Sequence, residues 1–492
     1  MNRGAKTTDN IMGPFVDGLP LISASEGIVE VVNPSNGQHC LTIPAGCEED
    51  VNRAVASARR VFDAGAWADA TPMTRKRVLH RFADLIAAEA VRLDALDAAE
   101  MGKPVRERFA SASVAADLMR FHAEAIDKVM GDVYGTDKNS FVTQRRVARG
   151  VVAAIVPWNF PVYSAAVKIA PAIAAGNSVV LKPSEQSSRS AMRLAQLALE
   201  AGLPPGVMNV VPGLGETVGK ALGLHMDVDV VAFTGSSVVG KRLLEYAGQS
   251  NMKLVLAECG GKSPQIVFDD GVDLDTASES IARLLLTNQG QICTVGSRLL
   301  VQRSIEGEVL EKLTTIFQQI VMGDALDPST TFGPVASARQ CKQIMRYVET
   351  AAAEGARLVV GGRAVLQETG GYFVEPTIFR NVSPRARIAQ EEIFGPVLSV
   401  TTFEDDAEVI RIANSTMYGL MAYVWTTDIT TAMRMAKGIR SSVLINADAP
   451  TGEGGGHACS FEPAGQSGVG TEGGLAGLES YLRRQLVCIN HS

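Results

Sequence analysis

The chain has 492 residues, of which 46% are hydrophobic and 20% are charged, and its formal net charge is -7. This length exceeds what a single hydrophobic core usually supports, so two or three domains are expected. The acidic balance, together with the lack of any block of Lys and Arg, argues against nucleic-acid binding.

Cysteine spacing and hydropathy narrow the class of protein further. The seven cysteines are scattered and have neither the spacing of zinc ligands nor that of a disulfide framework, so we expect no metal centre and a reducing compartment. Residues 1–10 lack the apolar segment of a secretory signal. No apolar run reaches the roughly 18 residues of a membrane-spanning helix. We therefore predict a cytoplasmic protein without membrane association.

The hydrophobic pattern predicts helices first and α/β units later. Residues 49–131 carry apolar side chains at helical spacing. From residue 150 onward, short apolar runs alternate with helical stretches, which is typical of βαβ units and a mainly parallel sheet. The candidate strands are 151–155, 178–182, 208–211 and 230–233. A second alternating series begins after Gly261 and predicts a second α/β domain.

Asn159 lies between two prolines in Pro157-Trp158-Asn159-Phe160-Pro161. This rigid segment fixes its amide, which could donate a hydrogen bond to a developing oxyanion. The alternative is an asparagine that only caps a turn.

Two segments that follow candidate strands could bind a dinucleotide. Lys182 and Glu185 lie just after one strand, where an ammonium group and a carboxylate can bind ribose hydroxyls; an exposed ion pair is the alternative. Residues 233–240 join another strand to a helix, and their backbone N–H groups could face a pyrophosphate. Because this segment is not the Gly-x-Gly-x-x-Gly fingerprint, it is weak evidence alone.

Glu258 and Cys293 are candidates for a general base and a nucleophile. Glu258 follows a predicted strand and precedes two glycines, which allow the backbone to turn and expose the carboxylate. A surface salt bridge is the alternative. Cys293 lies near a predicted helix end, and a helix terminus or nearby donors can lower a thiol pKa. A buried structural cysteine is the alternative.

Six motifs occur in the order typical of one enzyme family. They are Pro-Trp-Asn-Phe-Pro, Lys-Pro-Ser-Glu, Phe-Thr-Gly-Ser, Glu-x-Gly-Gly-Lys, Gly-Gln-x-Cys and Glu-Glu-Ile-Phe-Gly-Pro. In order and spacing, the chain resembles the aldehyde dehydrogenase superfamily, in its hydrolytic, non-CoA-acylating branch, from about residue 33 to about residue 481.

The resemblance implies an α/β aldehyde dehydrogenase-like fold. A Rossmann-type NAD-binding domain would comprise residues 1–129 and 150–258, and an α/β catalytic domain would comprise residues 259–476. A small β oligomerisation arm would comprise residues 130–149 and 477–492. Because such an arm exposes strand edges unless another subunit covers them, a homodimer or homotetramer is expected.

The resemblance also implies oxidation of an aldehyde to a carboxylic acid with NAD as hydride acceptor. Cys293 would form a thiohemiacetal and then a thioester, Asn159 would hold the oxyanion, and Glu258 would activate the hydrolytic water. The implied cofactor contacts are Ile155, Pro157, Trp158, Lys182, Ser184, Glu185, Gly215, Phe233, Thr234, Gly235, Ser236, Gly260, Glu392 and Phe394. The Glu185 carboxylate should repel a 2′-phosphate, so NAD is favoured, although Lys182 leaves NADP possible.

The chain departs from the family pattern in two places. Cys259 stands where the family usually has leucine; we interpret it as a small apolar filler, with pairing to Cys293 under oxidation as the competing hypothesis. In the loop 460–472, Gly465 and Thr471 replace a lysine and an arginine, which puts substrate preference in question.

The tunnel positions of the family correspond to a mostly apolar set without a charged anchor. This set predicts uncharged aliphatic, terpenoid or aromatic aldehydes. Two alternatives remain: a CoA-acylating dehydrogenase, which Glu258 disfavours, and a catalytically silent NAD-binding homologue. The tunnel positions are Phe160, Ser164, Val167, Thr287, Ile292, Thr294 and Phe461.

Overall fold

The structure is a computed structural model that describes residues 13–25, 27–449 and 455–490. Residues 1–10, in which no secretory signal was expected, lie outside this range. The start of the predicted first domain and the last two residues of the predicted arm also lie outside it. Among the described residues, no helix combines the length and the apolarity needed to cross a bilayer.

One sheet has eight strands within the described residues, and most of them run parallel. The strands Val151–Ile155 and Ser178–Lys182 are buried along their whole length. Near-continuous apolar runs of this kind are expected where helices cover both faces of a parallel sheet. In spatial order the strands are Leu19–Pro20, Phe15–Val16, Met208–Val210, Ser178–Lys182, Val151–Ile155, Val230–Thr234, Leu254–Glu258 and Gly468–Val469.

A second sheet has seven strands within the described part of the chain and is parallel except for its first edge strand. In spatial order they are Arg357–Val360, Thr377–Arg380, Val397–Phe403, Arg298–Gln302, Pro264–Val267, Met421–Trp425 and Ser442–Ile445. Residues 259–263 connect the two sheets directly. This connection places the Gly260-Gly261 pair between them.

Helices cover these sheets, and alternate residues of a strand pack on opposite faces. Val152 and Ala154 join one buried cluster, whereas Val151 and Ala153 join another. The α-helices are Glu48–Asp63, Pro72–Ala88, Ala90–Met101, Ala112–Ala125, Pro161–Ala174, Arg189–Ala201, Lys220–Leu224, Ser237–Gln249, Leu274–Leu286, Glu306–Phe317, Ala338–Ala353, Arg387–Gln390, Asp406–Ala413, Ile429–Gly438, Gly455–Ala458 and Gly474–Ser480. Single turns of 3-10 or π-helix are Ile126–Lys128, Gly215–Gly219, Thr287–Gly290, Arg303–Ile305 and Gln367–Thr369.

A separate antiparallel sheet lies on the surface. Leu482–Asn490 pairs along its whole length with Ser140–Ala148, and Asp132–Tyr134 lies on the other side of that strand. Three two-stranded ribbons complete the sheets of the described residues; they pair Ile28–Val32 with His39–Pro44, Ala364–Val365 with Phe373–Val374, and Tyr418–Gly419 with Ala464–Gly465.

The strands expected from the sequence are present, and the α/β class is confirmed. The third expected strand ends one residue early, at Val210, and the fourth extends to Thr234. The division into three domains stays a prediction. Gly468–Val469 lies in the interval assigned to the second domain, yet it pairs with Leu254–Glu258 of the eight-stranded sheet.

Candidate active site

Two cavities meet at Cys293. A cleft of about 350 Å³ and a cavity of about 230 Å³ share the lining residues Asn159, Thr234 and Cys293. The cleft lies at the carboxyl ends of parallel strands such as Val230–Thr234, which is where open α/β sheets bind ligands. A group bound in either cavity can therefore reach the thiol. We call these spaces the cofactor cleft and the substrate cavity.

A strained turn positions Cys293. The turn Thr287–Gly290 precedes it, and in this turn Asn288 and Gln289 have φ angles of 45° and 55°. Residues other than glycine adopt this left-handed conformation rarely. The buried Gln291 side chain donates to the Asn288 carbonyl at 3.0 Å and holds the turn from within. The backbone is therefore fixed immediately before the thiol.

Asn159 is attached to the same turn by hydrogen bonds. Its side-chain Nδ2 donates to the Gln291 backbone carbonyl at 2.9 Å. Its backbone carbonyl accepts from Asn288 Nδ2 at 2.8 Å. Because an amide nitrogen carries two N–H groups, one of them remains for a ligand in the cavities that Asn159 lines.

The pKa of the Cys293 thiol is raised to about 12, chiefly by burial and then by the carboxylates Glu392, Glu258 and Glu472. The sequence suggested that a helix terminus or nearby donors would lower this pKa. The Thr294 backbone N–H does act in that direction, but burial and the three acids outweigh it. The thiol is therefore protonated at neutral pH, and its attack on a carbonyl requires a base.

Glu258 ends a strand and lines the substrate cavity. Burial and then the charge of the nearby Glu472 raise its pKa to about 9, against the opposing charge of Lys168. Lys168 is fully buried and forms an ion pair with Glu472. All three residues line a space of about 10 Å³, which is roughly the size that one water molecule needs.

No function was predicted for Lys168 or Glu472 from the sequence. The only signal for Lys168 was a charged residue in an otherwise apolar helix, Pro161–Ala174. Glu472 lies some three hundred residues away along the chain, so no local motif could indicate the pair.

The substitution Glu472→Gln should shift the pH dependence of turnover. It removes a negative charge that raises the pKa of Glu258 and leaves Lys168, which lowers it. A lower pKa leaves more of the Glu258 carboxylate ionised at a given pH. We therefore expect the rise of kcat with pH to move down by about one pH unit.

The profile of kcat between pH 6 and pH 10 measures this shift, with the exposed Glu479→Gln as the control. An identical profile for Glu472→Gln and the wild type would show that Glu472 does not act on Glu258.

Glu392 and an aromatic pair form one end of the cofactor cleft. Glu392 accepts a hydrogen bond from the Gly261 backbone N–H at 3.0 Å. A Cβ atom at Gly260 would collide with the Glu392 carboxylate, so a larger residue there would displace that side chain. Burial raises the pKa of Glu392 to about 7. The rings of Trp158 and Phe394 pack edge to face, with their centroids 5.4 Å apart.

The other end of the cleft has features that suit phosphate and ribose groups. Lys182 is buried; its Nζ donates to the Pro183 carbonyl at 2.9 Å and forms an ion pair of 3.5 Å with Glu185, which lines the cleft. Ser236 caps the helix Ser237–Gln249 and also lines the cleft. A helix N-terminus attracts anions. The cleft therefore fits a dinucleotide.

Most predicted cofactor residues line this cleft. They are Pro157, Trp158, Glu185, Thr234, Gly235, Ser236, Gly260, Glu392 and Phe394. Ile155, Lys182, Ser184, Gly215 and Phe233 are not among its lining residues. Ile155 and Phe233 pack in the core of the eight-stranded sheet instead. The roles of all these residues stay predictions.

One helix contributes to the cleft in a way that the sequence did not indicate. Residues at the start of Ala338–Ala353 line it, and Gln340 Nε2 donates to the Phe394 carbonyl at 2.6 Å. This helix contains no recognisable binding motif. The residues that line the cleft here are the N-cap residue Ser337 and the helical residues Arg339, Gln340 and Gln343.

The substrate cavity contains six of the seven predicted tunnel residues and lacks Thr287. Its wall also contains Phe109, Leu118 and Tyr163, so it is mainly apolar and aromatic. Two histidines, His122 and His457, line it as well. Neither histidine was predicted from the sequence, because the two lie in separate segments without a recognisable motif.

The structure explains the two departures from the family pattern. Cys259 is buried, and burial followed by the Glu258 charge raises its pKa to about 12, which agrees with an apolar filler. Gly465 has φ 61°, and a Cβ atom there would press against the Met417 carbonyl, so a lysine would be strained. The hydroxyl of Thr471 donates to Glu462 within the same loop.

Comparison with known proteins agrees with this geometry. Residues 21–487 match the aldehyde dehydrogenase family. The chain is 42% identical to the NADP/NAD-dependent aldehyde dehydrogenase PuuC of Escherichia coli (strain K12), over 97% of this chain and 95% of that protein. A crystal structure of indole-3-acetaldehyde dehydrogenase in complex with NAD+ is 45% identical with a TM-score of 0.94, covering 97% of this chain and 96% of the other. That of gamma-glutamyl-gamma-aminobutyraldehyde dehydrogenase from Burkholderia cenocepacia J2315 is 46% identical with a TM-score of 0.93, covering 98% and 97%.

These relatives share both the fold and nearly the full length of the chain, and they confirm the predicted fold, family and nicotinamide cofactor class. Cys293 lies where a cleft with features of a nucleotide site meets a mainly apolar cavity. The chain therefore belongs to the aldehyde dehydrogenase family and is an aldehyde-oxidising enzyme.

Proposed function

We propose that the enzyme oxidises an uncharged aromatic or aliphatic aldehyde to its carboxylic acid, with NAD as the hydride acceptor and a thioester on Cys293 as intermediate. One observation carries the proposal. Cys293 lies where the cavity lined by Glu258 meets the cleft lined by Glu392 and Phe394.

Cys293 begins the reaction by attacking the aldehyde carbonyl. Its raised pKa means that the thiol must lose its proton during the attack, and Glu258 is the base that lines the same cavity. The free N–H of Asn159, with the Cys293 backbone N–H, would stabilise the oxyanion of the thiohemiacetal.

When bound, NAD would supply the acceptor for the hydride that leaves the thiohemiacetal as the thioester on Cys293 forms. Glu392, fixed by the Gly261 N–H, would hold the ribose next to the nicotinamide, and Phe394 and Trp158 would pack beside the ring. Closing this end of the cleft with aromatic rings also keeps bulk water away from the reacting carbon.

Glu258 would then take a proton from water, which attacks the thioester and releases the acid. Its raised pKa matches this task, because a carboxylate with a high pKa is a stronger base than an ordinary one. The Lys168–Glu472 ion pair beside Glu258 adjusts the pKa of this carboxyl group.

The cleft supports NAD as the preferred cofactor, with NADP accepted. The Glu185 carboxylate lines the cleft and would repel a 2′-phosphate. Lys182, 3.5 Å from that carboxylate, offsets part of the repulsion. The E. coli relative, which is named for both cofactors, is consistent with dual use.

The substrate cavity supports an aromatic aldehyde more than a charged one. Phe109, Phe160 and Phe461 line it and suit a flat ring. The relative that acts on indole-3-acetaldehyde is consistent with this preference. The described lining residues of the cavity include no Lys or Arg that could receive a substrate carboxylate.

The separate surface sheet supports an oligomer built through residues 130–149 and 477–492. Its side chains Met130, Val133 and Leu486 are exposed, although they are apolar. Apolar residues on an uncovered sheet favour pairing with a second copy of the chain. A homodimer or homotetramer, in which each copy keeps the predicted NAD-binding and catalytic domains, would cover these side chains.

A panel of aldehydes tests the function. We expect NADH formation and release of free acid without CoA, with NAD used more efficiently than NADP. Absorbance at the NADH band and chromatography of the product measure both. Turnover that requires CoA and yields an acyl-CoA would show an acylating enzyme, and NAD binding without turnover on any aldehyde would show a silent homologue.

A further inference from the structure

His122 is a buried polar residue without a hydrogen-bond partner at one wall of the substrate cavity. It lies on the helix Ala112–Ala125, and its side chain is only 2% exposed. Its Nδ1 is buried and makes no hydrogen bond within the described residues. Buried polar atoms nearly always have partners, because burial without one is unfavourable. The imidazole ring itself lines the substrate cavity, where a bound group can approach it.

A second histidine faces the same space. His457 lies on Gly455–Ala458, which packs against the helix that carries His122, and it also lines the cavity. Burial lowers the pKa of His122 to about 3, and the charge of His457 contributes in the same direction. Burial lowers the pKa of His457 as well, although Asp117 opposes the shift. Both rings are therefore neutral at neutral pH.

A neutral imidazole presents one N–H donor and one acceptor nitrogen. Two such rings in the wall of a mainly apolar cavity match a group that is uncharged and can both donate and accept. A hydroxyl has this property. A carboxylate would need a cation to receive it, and an ammonium group would need an acidic side chain free to pair with it. Asp117, whose charge acts on His457, is already paired with Arg120 at 2.8 Å.

We propose that His122 and His457 form a hydrogen-bonding subsite for a hydroxyl at the end of the substrate remote from the aldehyde. The favoured substrates are then hydroxyaryl aldehydes, whose ring packs against Phe160 and Phe461 while the hydroxyl reaches the histidines. This inference rests on the proposed function and refines it. His122 and His457 act in specificity and take no part in the chemical step.

Matched aldehyde pairs test the subsite. The pairs are benzaldehyde, phenylacetaldehyde and 3-phenylpropanal, each with its 4-hydroxy derivative, so that the distance from the thiol is sampled. In the wild type we expect kcat/KM to favour the hydroxylated member of at least one pair by about tenfold or more, because a site with unpaired polar groups rejects the analogue that lacks the hydroxyl.

His122→Phe keeps a ring of similar shape but removes the nitrogens. We expect it to reduce the preference to about twofold or less by lowering kcat/KM for the hydroxylated aldehyde while turnover of its partner persists. His457→Phe, at a less buried position, should reduce the same preference. His39→Phe, the same substitution at an exposed histidine that does not line the cavity, is the matched control and should leave the preference unchanged.

Equal kcat/KM within every wild-type pair would overturn the subsite, and so would an unchanged preference in both histidine variants. Faster turnover of 4-formylbenzoate than of 4-hydroxybenzaldehyde would also overturn it, because the subsite would then bind an anion. Loss of NAD reduction with all these aldehydes in the wild type would instead contradict the proposed function, so the two failures are distinguishable.

Discussion

Replacing Cys293 with alanine should abolish NAD reduction by any aldehyde, lowering kcat by more than about 10⁴-fold. Asn159, Thr234 and Cys293 line both cavities, but Cys293 alone supplies a nucleophile there. Without it no thiohemiacetal forms, and the other residues have no covalent intermediate on which to act. Steady-state NADH formation at saturating aldehyde measures the loss.

Two controls make this result specific. Cofactor binding, followed by quenching of tryptophan fluorescence, should persist in Cys293→Ala, because Glu392, Phe394 and Trp158 still line the cleft. Cys259→Ala changes the neighbouring buried thiol and should keep most of the activity. Residual turnover above a few per cent in Cys293→Ala would contradict a covalent mechanism through this residue.

Replacing Glu258 with glutamine should stop the reaction after the thioester. The amide cannot accept a proton from water, so we expect the steady-state rate to fall by about 10² to 10⁴-fold. Other bases, including hydroxide, can still remove the proton of the Cys293 thiol during the first turnover. The first turnover should therefore give a burst of NADH close to one equivalent per active site, followed by slow release of acid.

Stopped-flow fluorescence measures the burst, and mass spectrometry of the intact chain detects the acyl group on Cys293. Glu462→Gln, on the exposed part of the loop that also contains Glu472, is the matched control and should behave like the wild type. A variant that loses the burst and the steady state in equal proportion would show that Glu258 acts only before the thioester. Rapid acid release at the wild-type rate would remove it from the mechanism.

Much of the local geometry that supports these predictions could be inferred from short segments of sequence. Prolines on both sides of Asn159 restrict its backbone, and the glycine at 260 leaves room for the Glu392 carboxylate. The strands that present these residues are short apolar runs, so their positions were accurate to about one residue. Motif order then indicated the family, because each motif supplies one part of a single reaction.

The properties that depend on distant contacts could not be predicted in this way. The histidines of the proposed subsite come from two helices more than three hundred residues apart in the chain. Lys168 and Glu472 are also more than three hundred residues apart. The pKa of Cys293 also depends on such contacts, because burial and three carboxylates from other segments raise it.

By itself, the sequence determined which chemical groups the enzyme has and which strands and turns present them. These features depend on residue type and on neighbours along the chain, such as the proline pair around Asn159 and the glycine pair that follows Cys259. The tertiary structure alone decided the protonation of Cys293 and Glu258 and the polarity of the substrate cavity. The reason is that burial and charge act through space, so they depend on side chains that only folding brings together.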